Sequence, residues 1–412
     1  MEIRPILSAL LRSKTGAILV AVQVALSLAI LANALHIVSV RQAVAARPSG
    51  VAAEADVFSL QIRHLKAGSH QQQLAEQKSE AATLRAVPGV LSLANVSQMP
   101  LTRSGSYTSI AATREQEQNN GSAALYSTPD SLLKTWGLQL REGRDFAPQD
   151  VVEVDQDTSE EFAKVVIVTH ALAQRLWPDS ASALGKTLYF GTGAKASASE
   201  VVGVVERLQT PGAQLKGDGE ICVIAPIRYT GGTDSNFTLR AEPGQLERSM
   251  RAAEAAARAA AAPTPVIVRM KSLADVRADR YRADRGLSGM LVAVSALLLL
   301  VTASGIVGMA SLWVTQRRKQ IGVRRALGAR RVDILRYFLI ENVMITSVGV
   351  AAGVLLGLAL NQLLVSQLEM ARLPAGYLAA GAGVFWLLGL GAVYGPAWRA
   401  ASTSPALATR SA

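Results

Sequence analysis

The chain has 412 residues, of which 50% are hydrophobic and 18% are charged, and its formal net charge at pH 7 is +11. The apolar residues collect in long blocks, which excludes a purely soluble protein. The positive charge does not indicate a nucleic-acid-binding protein, because residues 41–285 hold 28 Lys and Arg against 27 Asp and Glu, and most of the excess lies beside the apolar blocks.

Four apolar blocks approach or exceed the ~20 residues that a helix needs to cross a bilayer core. They predict transmembrane helices at 17–40, 287–314, 339–364 and 375–396. A signal peptide is the alternative for the first block. That block is longer than the roughly 7 to 15 apolar residues of a signal peptide, and Arg41 separates it from the small residues at 43–46. We therefore expect it to be retained as a helix.

Between the first two blocks, residues 41–286 alternate strand-like and helical patterns. The segment 57–62 alternates apolar and polar residues as a half-buried strand does, and further strands are expected after 87–90 and at 236–241 and 264–268. Helical patterns cover 69–86 and 243–262. These β-α-β units at the two ends of the region predict one lobe.

The block at about 120–215 has a different texture and predicts an inserted second lobe. Buried-strand runs at 165–168 and 200–205 lie on either side of a short helical stretch at 171–177. The polar, Gly- or Gln-bearing segments 109–121 and 210–219 are interpreted as linkers.

No pattern in this region indicates catalysis or metal binding. The four histidines, His36, His64, His70 and His170, are scattered, and the single cysteine, Cys222, excludes an intramolecular disulfide. The Walker A pattern G-x-x-x-x-G-K-[ST] does not occur, so we expect no ATP binding by a P-loop. The prediction is a non-catalytic chain that holds no cofactor and no metal.

The segment 315–338, between the second and third blocks, is strongly basic. It contains Arg317, Arg318, Lys319, Arg324, Arg325, Arg330, Arg331 and Arg336. Positive charge in short loops marks the cytoplasmic side of a membrane. The basic residues of the N-terminal segment 1–16 and of the tail 397–412 agree, since four spans return the chain to its starting side. We therefore predict that 41–286 and a short loop at 365–374 lie outside.

The order of residues within the basic segment predicts a docking helix. On a helix, Ile321, Arg324, Arg325 and Gly328 share one face, and Val323 and Leu327 form an adjacent apolar stripe. The arginines could pair with acidic groups of a cytoplasmic partner or with lipid phosphates. Both remain open at this point, and partner docking is the interpretation we favour.

Four further positions in the third block have structural interpretations. Glu341 lies near the start of the block, where a carboxylate is costly at membrane depth. We expect it to pair with Arg336 or to cap a helix, in preference to relaying protons. Gly349, Gly353 and Gly357 recur every four residues, which favours close helix packing over a substrate site.

The segment from Arg317 to Ala329, with Ile334, Glu341 and the three glycines, resembles the FtsX/MacB-type permease domain of type VII ABC transporters. The tail from Pro396 to Leu407 resembles the end of that domain. The region 41–286 is similar to the MacB-type periplasmic core domain at 87–90, at 136–146, which starts at Trp136, and at 184–186 with 202–205. The resemblance covers nearly the whole chain, and its motifs are specific only when taken together.

This resemblance implies an α-helical membrane protein with four transmembrane helices and a large α+β periplasmic domain, built from a porter-like lobe and an inserted lobe. Such permeases reside in the bacterial inner membrane and pass motion from cytoplasmic ABC ATPase subunits, which bind ATP and Mg, to the periplasmic domain. The positions matching the coupling element are Gln320, Ile321, Gly322, Val323, Arg324, Arg325, Ala326, Leu327, Gly328 and Ala329. The family commonly has Glu where this chain has Gln320, which fits pairing with a different permease subunit.

The function predicted from the sequence is that of a permease subunit that exports or extracts an antimicrobial, a peptide or a lipoprotein. Expected partners are the ATPase, a second permease in a homodimer or heterodimer, and membrane lipids. A periplasmic adaptor or an outer-membrane channel is a further possible partner. Two alternatives remain. One is an FtsX-like regulator of a periplasmic hydrolase, and the other is a non-transporting membrane scaffold.

Overall fold

The computed structural model describes residues 14–115, 120–159, 161–194, 196–213, 217–262, 264–368 and 372–402. Most of the predicted N-terminal segment and of the tail, and part of the 365–374 loop, lie outside these residues. The chain divides into two compact units. We call residues 46–283 the α+β domain, and the remainder the membrane unit.

The α+β domain contains short helices and strands, and long helices precede and follow it. In chain order they are α1 (Lys14–Ala45), β1 (Val57–His64), α2 (His70–Arg85), β2 (Val90–Asn95), β3 (Tyr107–Ala111), β4 (Ser122–Ser127), α3 (Leu132–Trp136), β5 (Leu140–Gly143), β6 (Val152–Asp155), β7 (Val165–Thr169), α4 (His170–Leu176), β8 (Thr187–Phe190), β9 (Ser197–Val205), β10 (Cys222–Ala225), β11 (Ile227–Thr230), β12 (Asp234–Ala241), α5 (Leu246–Ala260), β13 (Val266–Ser272), α6 (Leu273–Arg280), α7 (Arg282–Gln316), α8 (Arg318–Ala326), α9 (Arg331–Leu368) and α10 (Ala375–Ser402).

The first lobe of the α+β domain is a four-stranded sheet in the order β13-β1-β12-β2, in which all neighbours are antiparallel. Phe58, Leu60 and Ile62 alternate along β1 and are fully buried, in one cluster with Leu84 of α2 and Ala253 of α5. The sheet combines strands from both ends of the region.

The second lobe is a seven-stranded sheet in the order β5-β9-β7-β10-β4-β3-β8. It is mixed, because β7 runs parallel to β9 and β10 runs parallel to β4, whereas the other pairings are antiparallel. A separate parallel pair joins β6 and β11. The large sheet extends from residue 107 to residue 225 and is therefore wider than the predicted insertion at about 120–215.

The interpretation of 109–121 as a linker is wrong for its first three residues, which belong to β3. Ser109 pairs with Ser122, and Ile110 pairs with Phe190. Ile110 and Ala111 are fully buried and follow three more exposed residues. A short strand that is polar over most of its length is hard to distinguish from a polar loop.

The membrane unit consists of α1, α7, α9 and α10, with the short helix α8 between α7 and α9. Among the described residues, these four long helices are the ones that are long and apolar enough to cross a membrane. Each extends beyond its predicted block at one or both ends. The buried cluster of the unit draws residues from every one of them, including Val24, Ile306, Phe338 and Phe385. Together with the α+β domain, they confirm the predicted fold class.

Candidate partner-docking site

The basic segment forms the helix α8, which is bounded by a defined break at each end. Arg317 is the single residue between α7 and α8 and has a non-helical backbone, with φ −99° and ψ 12°. At the other end, Gly328 has φ +94°. Its N–H donates to the carbonyl of Arg325 at 3.2 Å, and the N–H of Ala329 donates to the carbonyl of Arg324 at 3.0 Å. This pair of bonds is the Schellman arrangement, which commonly uses glycine because it requires a left-handed residue.

The two faces of α8 differ in burial. Ile321 and Gly322 are buried, and Ile321 belongs to the same cluster as Ile334 and Phe338 of α9. On the other side, the side chain of Val323 is 52% exposed and that of Leu327 is 83% exposed. Val323 and Leu327 therefore form an uncovered apolar stripe on a helix whose opposite face is packed.

The exposed stripe lies in strongly basic surroundings. Arg318, Lys319, Arg324 and Arg330 are exposed, and the sequence contains no Asp or Glu between residues 317 and 332. Gln320 is also exposed. The guanidinium of Arg324 lies over the ring of Tyr337 in α9, 5.1 Å from its centre. An apolar stripe framed by cations is suited to an acidic protein surface with a hydrophobic pocket.

Glu341 is buried in α9 and pairs with Arg317. This partner is not the one predicted from the sequence. Nη1 of Arg317 lies 2.9 Å from Oε1 and 2.8 Å from Oε2 of Glu341, whose side chain is 1% exposed. The predicted partner, Arg336, is exposed instead. Residues five apart on a helix lie on different faces, so Arg336 cannot readily reach this carboxylate.

The three glycines of α9 lie against α1 at points where the two backbones approach closely. A Cβ placed on Gly349 would lie 2.7 Å from the carbonyl oxygen of Ala21, and one on Gly353 would lie 3.0 Å from Cα of Ala25. A Cβ on Gly357 would lie 3.1 Å from Leu378 and 3.5 Å from Cα of Ala29. The alanines of α1 recur every four residues, as the glycines do, and the sequence predictions did not include this matching row. Small residues on both helices allow this close approach.

Family models account for most of the chain. Residues 23–261 match the MacB-like periplasmic core domain, and residues 292–405 match the FtsX-like permease C-terminal domain. The second match contains all of α8 and the three glycines.

Two curated relatives carry export functions in their names. The chain is 29% identical to the macrolide export ATP-binding/permease protein MacB of Agrobacterium fabrum over 304 residues, which is 69% of this chain and 42% of that protein. It is 29% identical to the pyoverdine export ATP-binding/permease protein PvdT of Pseudomonas syringae pv. tomato over 265 residues, which is 60% of this chain and 38% of that protein. The matches thus span less than half the length of each relative.

Among solved structures, a domain of a putative permease from Porphyromonas gingivalis is similar at 13% identity and a TM-score of 0.31, covering 54% of this chain and 92% of that one.

Proposed function

Because the chain belongs to the family of FtsX-like permeases with a MacB-like periplasmic core domain, we propose that it is the membrane subunit of an ABC transporter driven by an ATP-hydrolysing subunit. In this proposal the ATPase binds ATP and Mg and docks on the segment Gln320 to Ala329. The chain contributes no catalytic group and passes the motion of the ATPase to its α+β domain.

The observation that carries the proposal is the exposed stripe of Val323 and Leu327. Large apolar side chains on a helix that is packed on its other face are typical of an interface with a partner. Binding to lipid phosphates alone would explain the arginines. Burial of Leu327 in an apolar pocket of a protein partner would explain the exposed leucine, because burial removes its apolar surface from water. The basic surroundings add attraction to an acidic partner surface.

The orientation follows from the charges. We propose that α8 and both termini are cytoplasmic, and that the α+β domain faces the periplasm of a bacterial inner membrane. Export or extraction of a substrate is the leading role, and it is supported by the export functions in the names of the two relatives. An antimicrobial, a peptide and a lipoprotein are the substrate classes to test first.

A second permease subunit completes the proposed assembly. The helix α7 is the least buried of the four membrane helices, which leaves a long apolar face for lipid or for a second subunit. Gln320 favours a heterodimer, because the family's usual Glu could be supplied by the other chain.

The proposal is tested by purifying the full chain from its native membrane in mild detergent and identifying the bound proteins by mass spectrometry. We expect a Walker-bearing ATPase to accompany the wild type and to fall at least about tenfold in Leu327→Arg, where a cation replaces the apolar contact. Val332→Arg is the matched control, because Val332 is an exposed apolar residue of α9 outside the segment. It should retain the ATPase.

Two results would contradict the proposal. Recovery of a periplasmic hydrolase without any ATPase would favour the function of an FtsX-like regulator. Recovery of neither would favour the membrane scaffold. A second permease in the purified sample would decide between the homodimer and the heterodimer.

A further inference from the structure

The helix α8 is separated from its neighbours by a break in the helical backbone at each end, so side-chain contacts help to determine its position. Arg317 interrupts the helical backbone on one side, and Gly328 does so on the other. Beyond the neighbouring residues, no atom would lie within 4 Å of a Cβ on Gly328, so the turn is held mainly by the backbone hydrogen bonds of Gly328 and Ala329. The two breaks therefore make α8 a short helix distinct from α7 and α9.

Three contacts hold α8 against α9, and they come from one face of α8 and the residue before it. Arg317, Ile321 and Arg324 follow i, i+4, i+7 spacing, which places them in one row. Arg317 bonds to Glu341, Ile321 packs in the cluster of Ile334 and Phe338, and Arg324 stacks on Tyr337.

The two charged contacts lie on the same row of α9. Tyr337 and Glu341 are four residues apart, and Arg317 reaches both, since its Nη1 also lies 3.3 Å from the hydroxyl of Tyr337. Of the three contacts, the ion pair is the most sensitive to displacement, because separating it would leave a carboxylate that is 1% exposed without its cation. A packed isoleucine or a stacked arginine can slide by an ångström at much lower cost.

We propose that Arg317 and Glu341 are positioning residues whose ion pair makes α8 and α9 move as one body, so that a displacement of α8 by the ATPase reaches α9 directly as well as through α7. This inference rests on the proposed function. In this proposal, different residues of the same short stretch of chain control binding of the ATPase and transmission of its motion. Val323 and Leu327 would determine whether the ATPase binds, and the ion pair would determine whether binding is converted into motion.

Loss of the ion pair is therefore expected to change the stimulated rate of ATP hydrolysis without changing the affinity for the ATPase. Glu341→Gln keeps the size of the side chain and removes its charge. We expect the affinity for the ATPase to stay within about twofold of the wild type, while the substrate- or permease-stimulated hydrolysis rate falls about tenfold. The charge swap Arg317→Glu with Glu341→Arg should recover much of the rate, because the pair is restored in reverse.

Asp284→Asn is the matched control. Asp284 at the start of α7 pairs with Arg41 of α1, so this substitution also neutralises the acid of an interhelical ion pair in the membrane unit, but at the opposite end of α7. It should leave both the affinity and the stimulated rate near the wild-type values.

A measurement without the ATPase keeps the positioning claim independent of the partner. Spin labels on Lys319→Cys in α8 and Leu355→Cys in α9 occupy two exposed positions, and the native Cys222 is fully buried. In nanodiscs holding the full chain, double electron–electron resonance should give a narrow distance distribution for the wild type and the charge swap, and a broad one for Glu341→Gln.

Three outcomes would overturn the inference. They are an unchanged distance distribution in Glu341→Gln, a broadened distribution with an unchanged stimulated rate, and a loss of affinity equal to the loss of rate. Failure of the wild type itself to bind any ATPase would instead contradict the proposed function, and it is recognised because the wild type and Asp284→Asn fail together with the variant.

Discussion

Gly349 of α9 lies directly against Ala21 of α1, so closely that a Cβ on the glycine would come within 2.7 Å of the alanine's carbonyl oxygen. A backbone oxygen cannot rotate away as a side chain can. The two helices would therefore have to separate to admit even one methyl group.

Gly349→Ala is accordingly expected to destabilise the membrane unit by about 1 to 3 kcal/mol, the usual cost of overpacking a tight contact. The measurement is thermal unfolding of the full chain in detergent, followed by the loss of its monodisperse size-exclusion peak. Gly383→Ala is the control, because Gly383 also lies in a membrane helix and has no atom within 4 Å of a Cβ. An equal loss in both variants would mean that the contact with α1 does not determine the effect, since helix propensity alone favours alanine over glycine at both positions.

Trp136 and Thr238 connect α3 to β12 by a buried hydrogen bond. Nε1 of Trp136 donates to Oγ1 of Thr238 at 2.8 Å, and both side chains are fully buried. Thr238→Val preserves the shape and leaves the indole N–H without an acceptor, which costs about 1 to 3 kcal/mol. We expect faster hydrogen exchange of the β12 amides in the full chain, measured by mass spectrometry.

Thr238→Ser is the companion variant, because it keeps the acceptor and removes only a methyl group. Slower exchange in Thr238→Ser than in Thr238→Val is the expected order. The reverse order would show that packing of the methyl group matters more than the hydrogen bond.

The acid stability of the α+β domain should depend on Glu54. Burial acts to raise the pKa of Glu54. Hydrogen bonds from Arg277 and Ser49 act to lower it, and Nε and Nη2 of Arg277 each lie 2.7 Å from a carboxylate oxygen. The hydrogen bonds outweigh burial, so the pKa is lowered overall. A lowered pKa in the folded state means that the pair stabilises the domain fully above about pH 4.3, the ordinary glutamate value. This stabilisation is lost as the pH falls through the folded-state pKa.

Glu54→Gln should therefore lower the stability at pH 7 by about 1.5 to 3 kcal/mol, the usual contribution of a charged hydrogen bond, and should reduce the difference in stability between pH 7 and pH 4. Urea unfolding of the full chain, followed by near-ultraviolet circular dichroism, measures both. Glu247→Gln serves as the control, since its pair with Arg251 is widely exposed at 3.8 Å. A pH dependence in Glu54→Gln as steep as in the wild type would assign the acid sensitivity to another group.

The long helices and the short basic helix α8 could be predicted from the sequence because their signals are local. A span is a continuous apolar run, and the stripe of Val323 and Leu327 follows from helical spacing within one short segment. The partner of Glu341 could not be predicted, because Arg317 lies 24 residues away and reaches it only when the chain reverses between α8 and α9. The sequence nonetheless contains one indication of this pair, because Arg317 follows the second apolar block and Glu341 lies near the start of the third.

The extent of the second lobe was underestimated for a related reason. Strand β3 is short and begins with three polar residues, so its membership of the sheet depends on pairing with residues outside the strand, Ser122 and Phe190. The buried run at 165–168 was recognised because its residues are apolar on both faces, as expected for a central strand.

The most direct test of the docking claim is site-specific photocrosslinking in living cells, with a benzoylphenylalanine residue incorporated at position 327 in place of Leu327 and, as the control, at position 332 in place of Val332. The proposed function predicts a crosslink from position 327 to an ATPase that carries a Walker A motif, with little or none from position 332. Crosslinks from position 327 to lipid alone, or equal crosslinks from both positions, would contradict it.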